Sequence, residues 1–279
     1  LVPQRPSDHV KTNRRDAVKL ARMLRAGELA AIHVPTPDTE AVRDFVRLRE
    51  DLKDDRQRCR QRLGKFLLRH GQIYAGKAWT QKHLQWMKSL RWDPSMLGAT
   101  FEQYLYAVRE LDERIHRCDE QIAQYAEQDP WRAMVGRLRC FRGIDTLTAM
   151  GLVTEIEDFR RFAHPRPLMG FLGLGVSESS TGERRQRGGI TKAGNIHARR
   201  LLVEAAWHYR HKPTVGVALR RRRDRQAESV IHIADKAMHR LQRRFLRLLA
   251  KGKSSHKSVV AVARELVGFI WACEVEHAN

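Results

Sequence analysis

The segment SESSTGERRQRGGITKAGN, from Ser177 to Asn195, concentrates the side chains with which a protein can act on a phosphodiester. Its serines, Ser180 among them, and Thr181 are possible nucleophiles. Arg184, Arg185, Arg187 and Lys192 can hold phosphate oxygens, and the glycines allow a backbone to approach closely. The stretch has no helical period, and a solvated basic loop is the other reading of the same residues. A second place of interest is VKTNRRDAVKLARMLR, near the start, which puts Asn13 and Asp16 three apart. Residues three apart share a helix face. Two carboxylates there could hold a divalent metal for phosphodiester chemistry. Asn13 supplies a neutral amide, so half of such a pair is present.

Other stretches point toward nucleic acid. FRGIDTLTA resembles a helix-hairpin-helix turn, in which a glycine turn and a helix N-terminus meet a phosphate; an ordinary interhelical turn fits equally. Asp145, where glycine usually stands, argues against phosphate contact by its charge. HARR (with Arg199 and Arg200), LRRRRDR (with Arg220, Arg221 and Arg222) and LQRRFLRLLAKGKSSHK place cations on successive helices, as backbone contacts or as solvated faces. The histidines form no H-x-x-x-H or H-E-x-x-H arrangement, which speaks against a histidine metal site.

Composition agrees with the motifs. The 279 residues carry 53 Lys and Arg against 32 Asp and Glu, a net charge of +21. Such an excess repels itself in a compact fold unless a polyanion absorbs it, which makes nucleic acid the leading partner and an anionic membrane surface the competitor. No apolar run reaches the roughly 18 residues of a membrane span. Cys59, Cys118, Cys140 and Cys273 stand far apart, as free thiols in a reducing cytoplasm would. The first residue is Leu1 and LVPQRPSDH reads as the tail of a loop, so the chain is expected to be the remainder of a longer protein.

Around these stretches the pattern predicts mostly helix. Thr12 caps a helix over 13–26 closed by Gly27. LAAIHVPTP reads as a short strand. From Asp38 to His70 a helix carries Val42, Phe45, Val46, Leu48 and Leu52 on one stripe. Phe101, Tyr104, Val108, Leu111, Ile115, Cys118, Ile122 and Tyr125 then alternate steps of three and four, a heptad seam that predicts a coiled coil. Its partner is the 38–70 helix folded back as a hairpin, or a second copy of the chain; an ordinary amphipathic core helix is the alternative. After the Asp129-Pro130 break, with Pro130 opening a new helix, short helices meet around Gly143, the first ending near Arg142 and the second spanning 146–156. Further helices are predicted over 195–209, 214–226, 229–250 and 256–274. The implied domains are 1–37, 38–128 and 129–279, the last all-α.

VKTNRRDAVKLARMLRAGEL, LRCFRGIDTLTAMGLVTEIEDFRRFAHP and FLGLGVSESSTGERRQRGGITKAGNIHARRLLVEAAWHYRH together resemble the insertion-sequence transposases of the IS110 family, in the branch named for IS1111. The resemblance runs from about Lys11 to Trp271. It implies an α/β RuvC-like (RNase H-like) nuclease domain, of which 1–37 would be the C-terminal remnant, then a coiled-coil segment and a C-terminal transposase domain. It implies a composite site in which an acidic tetrad binds Mg²⁺ while a serine forms a covalent link to DNA. It also implies a structured guide RNA that pairs with donor and target, and a dimer or tetramer acting in the cytoplasm, at the nucleoid. Carried over by residue, the last two tetrad acids fall on Asn13 and Asp16, and the Ser-Ser-Gly nucleophile motif falls on Ser180-Thr181-Gly182. Threonine keeps the hydroxyl but its methyl crowds the approach to phosphorus. The expectation is a transposase that cleaves and rejoins DNA, this copy truncated and catalytically impaired, or else a non-catalytic remnant that binds nucleic acid or dimerises.

Overall fold

The computed structural model describes residues 12–29, 32–181 and 184–277. The chain divides into two compact units, one up to Pro37 and one from Asp38 onward. In the first, α1 (Asn13–Arg25) begins where Thr12 Oγ1 accepts the Arg15 backbone N–H at 3.3 Å, and it closes before Gly27 at φ +67°. Of the stretch 29–37, read as a strand, no described residue is in a strand. Residues 32–36 are irregular, 30 and 31 lie outside the described residues, and a strand needs a partner ladder that no described neighbour supplies. The opening stretch read as a loop tail is also outside the described residues.

The second unit starts with α2 (Pro37–Arg69), opened by proline with Asp38 and Glu40 in its first turn. At 33 residues it is about 50 Å long. A short α3 (Gln81–Ser89), capped by Thr80, leads to α4 (Ser95–Ala126). Helices α2 and α4 lie side by side in opposite directions, as their cross-links show. Arg49 reaches Asp119 at 2.7 Å, Arg56 reaches Asp112 at 2.7 Å, and Leu52 shares a buried cluster with Leu111, Ile115 and Cys118. Nearer the tip, Leu63, Phe66 and Leu67 pack with Met87, Phe101 and Leu105. The centre of the predicted seam is buried, but its ends turn. Leu105 and Ala126 are buried where Tyr104 and Tyr125 were expected, and Tyr125 is exposed. A straight helix drifts against a strict heptad, and α3 covers α4 from a second side near Leu105. Leu48, expected on the α2 stripe, faces outward.

The remaining helices form the larger core. They are α5 (Trp131–Leu138), α6 (Thr146–Ile156), α7 (Pro165–Phe171), α8 (Ile196–Ala206), α9 (Val217–Arg223), α10 (Glu228–Ala250) and α11 (Ser255–Glu276). Two details differ from the sequence reading. Pro130 is the N-cap of α5 rather than its first residue, and α5 ends at Leu138, four residues before Arg142. Every residue of α6 from Ala149 to Ile156 is buried, and α11 threads Val259, Val262, Leu266 and Ile270 through the same cluster. This part is not all-α. Between α7 and α8 the chain makes an antiparallel hairpin of β1 (Val176–Thr181) and β2 (Arg184–Ile190). The hairpin residues lack the β-branched alternation that marks strands, so the pairing is set by its stem.

Candidate functional site

The hairpin carries the hydroxyl-and-arginine segment. Its register opposes Thr181 to Arg184, Ser180 to Arg185 and Glu178 to Arg187, with an irregularity between Val176 and Glu178. Thr181 is exposed, and Gly182 of the Ser-Thr-Gly motif lies outside the described residues. The backbone register sets these positions opposite one another, while the side chains of Ser180, Arg184, Arg185 and Arg187 lie outside the described residues. Ser177 Oγ donates to the Gly189 carbonyl at 3.0 Å, and so is tied up in the ladder.

The stem explains why a hairpin forms there. Thr191 N–H donates to Gly175 O at 2.8 Å, Lys192 N–H to Gly173 O at 3.0 Å, and Asn195 N–H to Phe171 O at 2.9 Å. Gly173 and Gly194 adopt φ +66° and +110°. A Cβ on Gly194 would collide with the Phe171 carbonyl, and one on Gly173 with the Ala193 carbonyl. Asn195 then does two things at once. Its Oδ1 accepts the Ala198 N–H at 3.0 Å and caps α8, while its Nδ2 donates to Glu155 Oε2 at 2.6 Å.

Glu155 is the buried anion behind the hairpin. Arg47, on α2, donates to its two oxygens at 2.7 and 2.9 Å, so α2, α6 and the hairpin stem meet at one carboxylate. Burial alone would raise its pKa, but the Arg47 and Asn195 hydrogen bonds outweigh this and hold it below the usual carboxylate range. Sequence reading missed Glu155 and Arg47. The signal was present, because a single acid in the apolar run MGLVTEI needs a buried partner.

The turn at Gly143 belongs to packing. Gly143 has φ +83°, and a Cβ there would lie 2.5 Å from the Ala205 carbonyl. Asp145 caps α6 with its own carboxylate, accepting the Thr148 N–H at 2.8 Å. A helix N-terminus capped in this way does not await a phosphate.

The arginines named from sequence separate into two groups. Arg199 Nη1 donates to the Leu172 carbonyl at 2.9 Å, and Arg200 pairs with Glu50 and Glu204. Burial would raise Glu50, but Arg200 and Arg49 draw it down to about 2. Arg222 is half-buried, whereas Arg220, Arg221 and Lys192 are exposed. Next to them Arg223 is buried, paired with Asp235 at 2.8 Å and donating to the Cys140 carbonyl at 3.1 Å.

The metal expectation fares differently. Asn13 is exposed and Asp16 half-buried in the first turn of α1, flanked by Arg14 and Arg15 at the positive end of the helix dipole. No group of three or more His, Cys, Asp or Glu able to hold a metal exists among the described residues. One carboxylate and one amide beside two guanidiniums do not fit Mg²⁺, which sheds its waters only for several anionic oxygens. The cysteines are free, and no helix among the described residues is long and apolar enough to cross a membrane.

Comparisons with known proteins point to one family. Residues 136–217 match the family described as Transposase IS116/IS110/IS902, and residues 2–71 match a second family described as Transposase. The chain is 45% identical over 273 residues to the transposase relative y4qE of Sinorhizobium fredii, covering 98% of this chain and 67% of the relative. It is 36% identical to the transposase for insertion sequence element IS1533 of Leptospira borgpetersenii, over 90% of this chain and 74% of the relative. Similarity to the transposase for IS1111A of Coxiella burnetii is lower, at 25% over 74% of this chain and 57% of that protein. The chain is a transposase of an insertion sequence, and it belongs to the IS116/IS110/IS902 family.

Proposed function

We propose that this protein cleaves and rejoins DNA strands in transposition, and that the β1–β2 hairpin is where it meets the scissile phosphate. The observation that carries the reading is the hairpin register, which sets Ser180 and Thr181 opposite Arg185 and Arg184. In the reaction, a hairpin hydroxyl oxygen forms a bond to phosphorus and loses its proton. The deoxyribose oxygen leaves and takes up a proton. Arginine cations hold the non-bridging oxygens as charge builds on them. Glu155 positions the element through Asn195 and is not a catalytic residue. The described residues do not fit a magnesium site, so the roles assigned to this chain are those of its hydroxyls and cations.

The reading extends to the family's other features: a nuclease-like part up to residue 37, a coiled-coil arm over 38–128 and a transposase part over 129–279. A structured RNA and a second copy of the chain would complete the assembly, and the cytoplasm at the nucleoid is where it would act. Asn13 and the Thr181 methyl make the unaltered chain a poor catalyst in this reading. The test is a covalent-adduct assay on a gel with donor DNA and the element's RNA. Thr181→Ser is expected to raise the adduct yield, and Ser180→Ala with Thr181→Ala to abolish it. An adduct that survives loss of both hydroxyls would overturn the hairpin assignment. A strong adduct from the unaltered chain, lost in Thr181→Ala, would overturn only the claim of impairment.

A further inference from the structure

The outer face of α2 carries a feature that none of the arginine motifs marked. Arg58, Arg62, Lys65 and Arg69 recur at steps of four, three and four, which makes a straight row along the helix. The row spans 11 residue steps, about 16 Å. It borders an open groove of about 710 Å³ whose floor is Phe66 and Tyr104. All four cations are exposed. Arg58 is paired with Asp55, whereas Arg62, Lys65 and Arg69 form no ion pair among the described residues. The other side of the same helix behaves oppositely, since Arg49, Arg56 and Arg60 are each matched to Asp119 or Asp112 of α4.

Gly64 lies beside this row, mid-helix, with nothing within 4 Å of where a Cβ would be. Glycine inside a helix costs about 1 kcal/mol relative to alanine, and no protein neighbour explains it. It leaves the helix backbone open to close approach from outside.

We infer that this row is a docking surface for the sugar-phosphate backbone of duplex DNA, separate from the hairpin. The inference rests on the proposal above that the protein acts on DNA. Phe66 is buried and Tyr104 half-buried, so the groove offers little ring surface to a splayed base, and recognition falls to charge. A second copy of the chain would set like charges against each other, and a helix face with three unmatched cations does not suit an isologous contact.

The experiment is a salt titration of the full chain on a fluorescent DNA duplex, comparing the unaltered protein with Arg62→Gln/Lys65→Gln/Arg69→Gln. Each phosphate contact contributes about 0.9 to the slope of log affinity against log salt. The triple variant is expected to lower that slope by about 2–3 and to weaken binding at 0.1 M salt by about tenfold or more. Arg220→Gln/Arg221→Gln provides a second pair of exposed cations, on α9, for comparison. An unchanged slope in the triple variant, while the unaltered chain binds DNA, would overturn the docking surface and leave the transposase reading intact. No DNA binding by the unaltered chain would instead sink the reading on which it rests. Loss of binding to a structured RNA with duplex binding kept would overturn the assignment to DNA. A melting temperature that stays put in the triple variant establishes that the change is one of binding, and Arg62→Glu/Lys65→Glu/Arg69→Glu should then deepen the loss.

Discussion

Arg199 and Arg200 on α8 are the same kind of side chain, on the same kind of helix, as Arg62 and Arg69 on α2, yet the protein uses them differently. The first two are turned inward to a carbonyl and to Glu50, whereas the latter two stand exposed without a counter-ion among the described residues. What separates them is whether a carboxylate or an orphan carbonyl lies within reach in the folded chain. A run of arginines is therefore ambiguous until the tertiary partners are known, and an arginine cluster is not evidence of a nucleic-acid surface by itself.

The sharpest way to break this contrast is to remove an inward anion. Glu155→Ala leaves the part-buried Arg47 and Asn195 without their acceptor, and should cost about 3 kcal/mol in a denaturant titration. A loss below 1 kcal/mol would mean that the carboxylate is not holding α2, α6 and the hairpin stem together.

A second inward pair differs in its response to pH. Glu274 on α11 is 2% exposed, with Arg137 donating to Oε2 at 2.9 and 2.6 Å and with Oε1 unpartnered. Burial pushes its pKa up to about 7 against the opposing pull of Arg137. Between the unfolded value of 4.5 and about 7 the native state therefore holds more protons than the unfolded state. The stabilisation is complete below the unfolded pKa and is lost as pH rises through the folded one. Relative to Glu274→Gln, the unaltered protein should lose on the order of 2 kcal/mol between pH 5 and 8. Parallel melting curves for the two across that range would refute the shift.

Single arginines give smaller effects that should separate cleanly. Arg200→Gln should lower stability by about 1 kcal/mol, by freeing Glu50, and leave the salt slope of DNA binding almost unchanged. Arg220→Gln with Arg221→Gln should do the reverse, lowering the slope by about 2 with no change in melting temperature. If both variants moved both quantities, the division into inward and outward cations would fail. The smallest effect is a gain. Gly64→Ala should stabilise the protein by about 0.5–1 kcal/mol, because its side is open and its helix site favours alanine. A loss of stability there would show a packing role for the glycine.

What could be read from the sequence tracks how local the controlling forces are. The Thr12 cap, the glycine stop at Gly27, the α2 span and the centre of the α4 seam all depend on neighbours within a turn or two, and they came through. The hairpin did not, because its register is set by Gly173 and Gly194 meeting carbonyls some twenty residues apart. The expected all-α character of 129–279 failed on the same account. At the described positions of 29–37 no strand is seen, because β-like composition forms no ladder without a partner. At the candidate site the hydroxyls and cations were visible as types, while their division into inward and outward groups, and the Glu155 hub, required contacts between residues from 27 to 150 positions apart.

The root of the hairpin has a practical side. Gly173 and Gly194 cannot take a methyl group, and Asn195 is engaged at both ends of its amide, whereas Ser179, Thr181 and Gln186 project into open solvent. The stem thus acts as a socket and the two strands as an interchangeable insert. Loop grafting or library mutagenesis over 177–189 is therefore expected to change what the hairpin does to DNA rather than whether the protein folds, while the same diversity applied at the socket would unseat the insert.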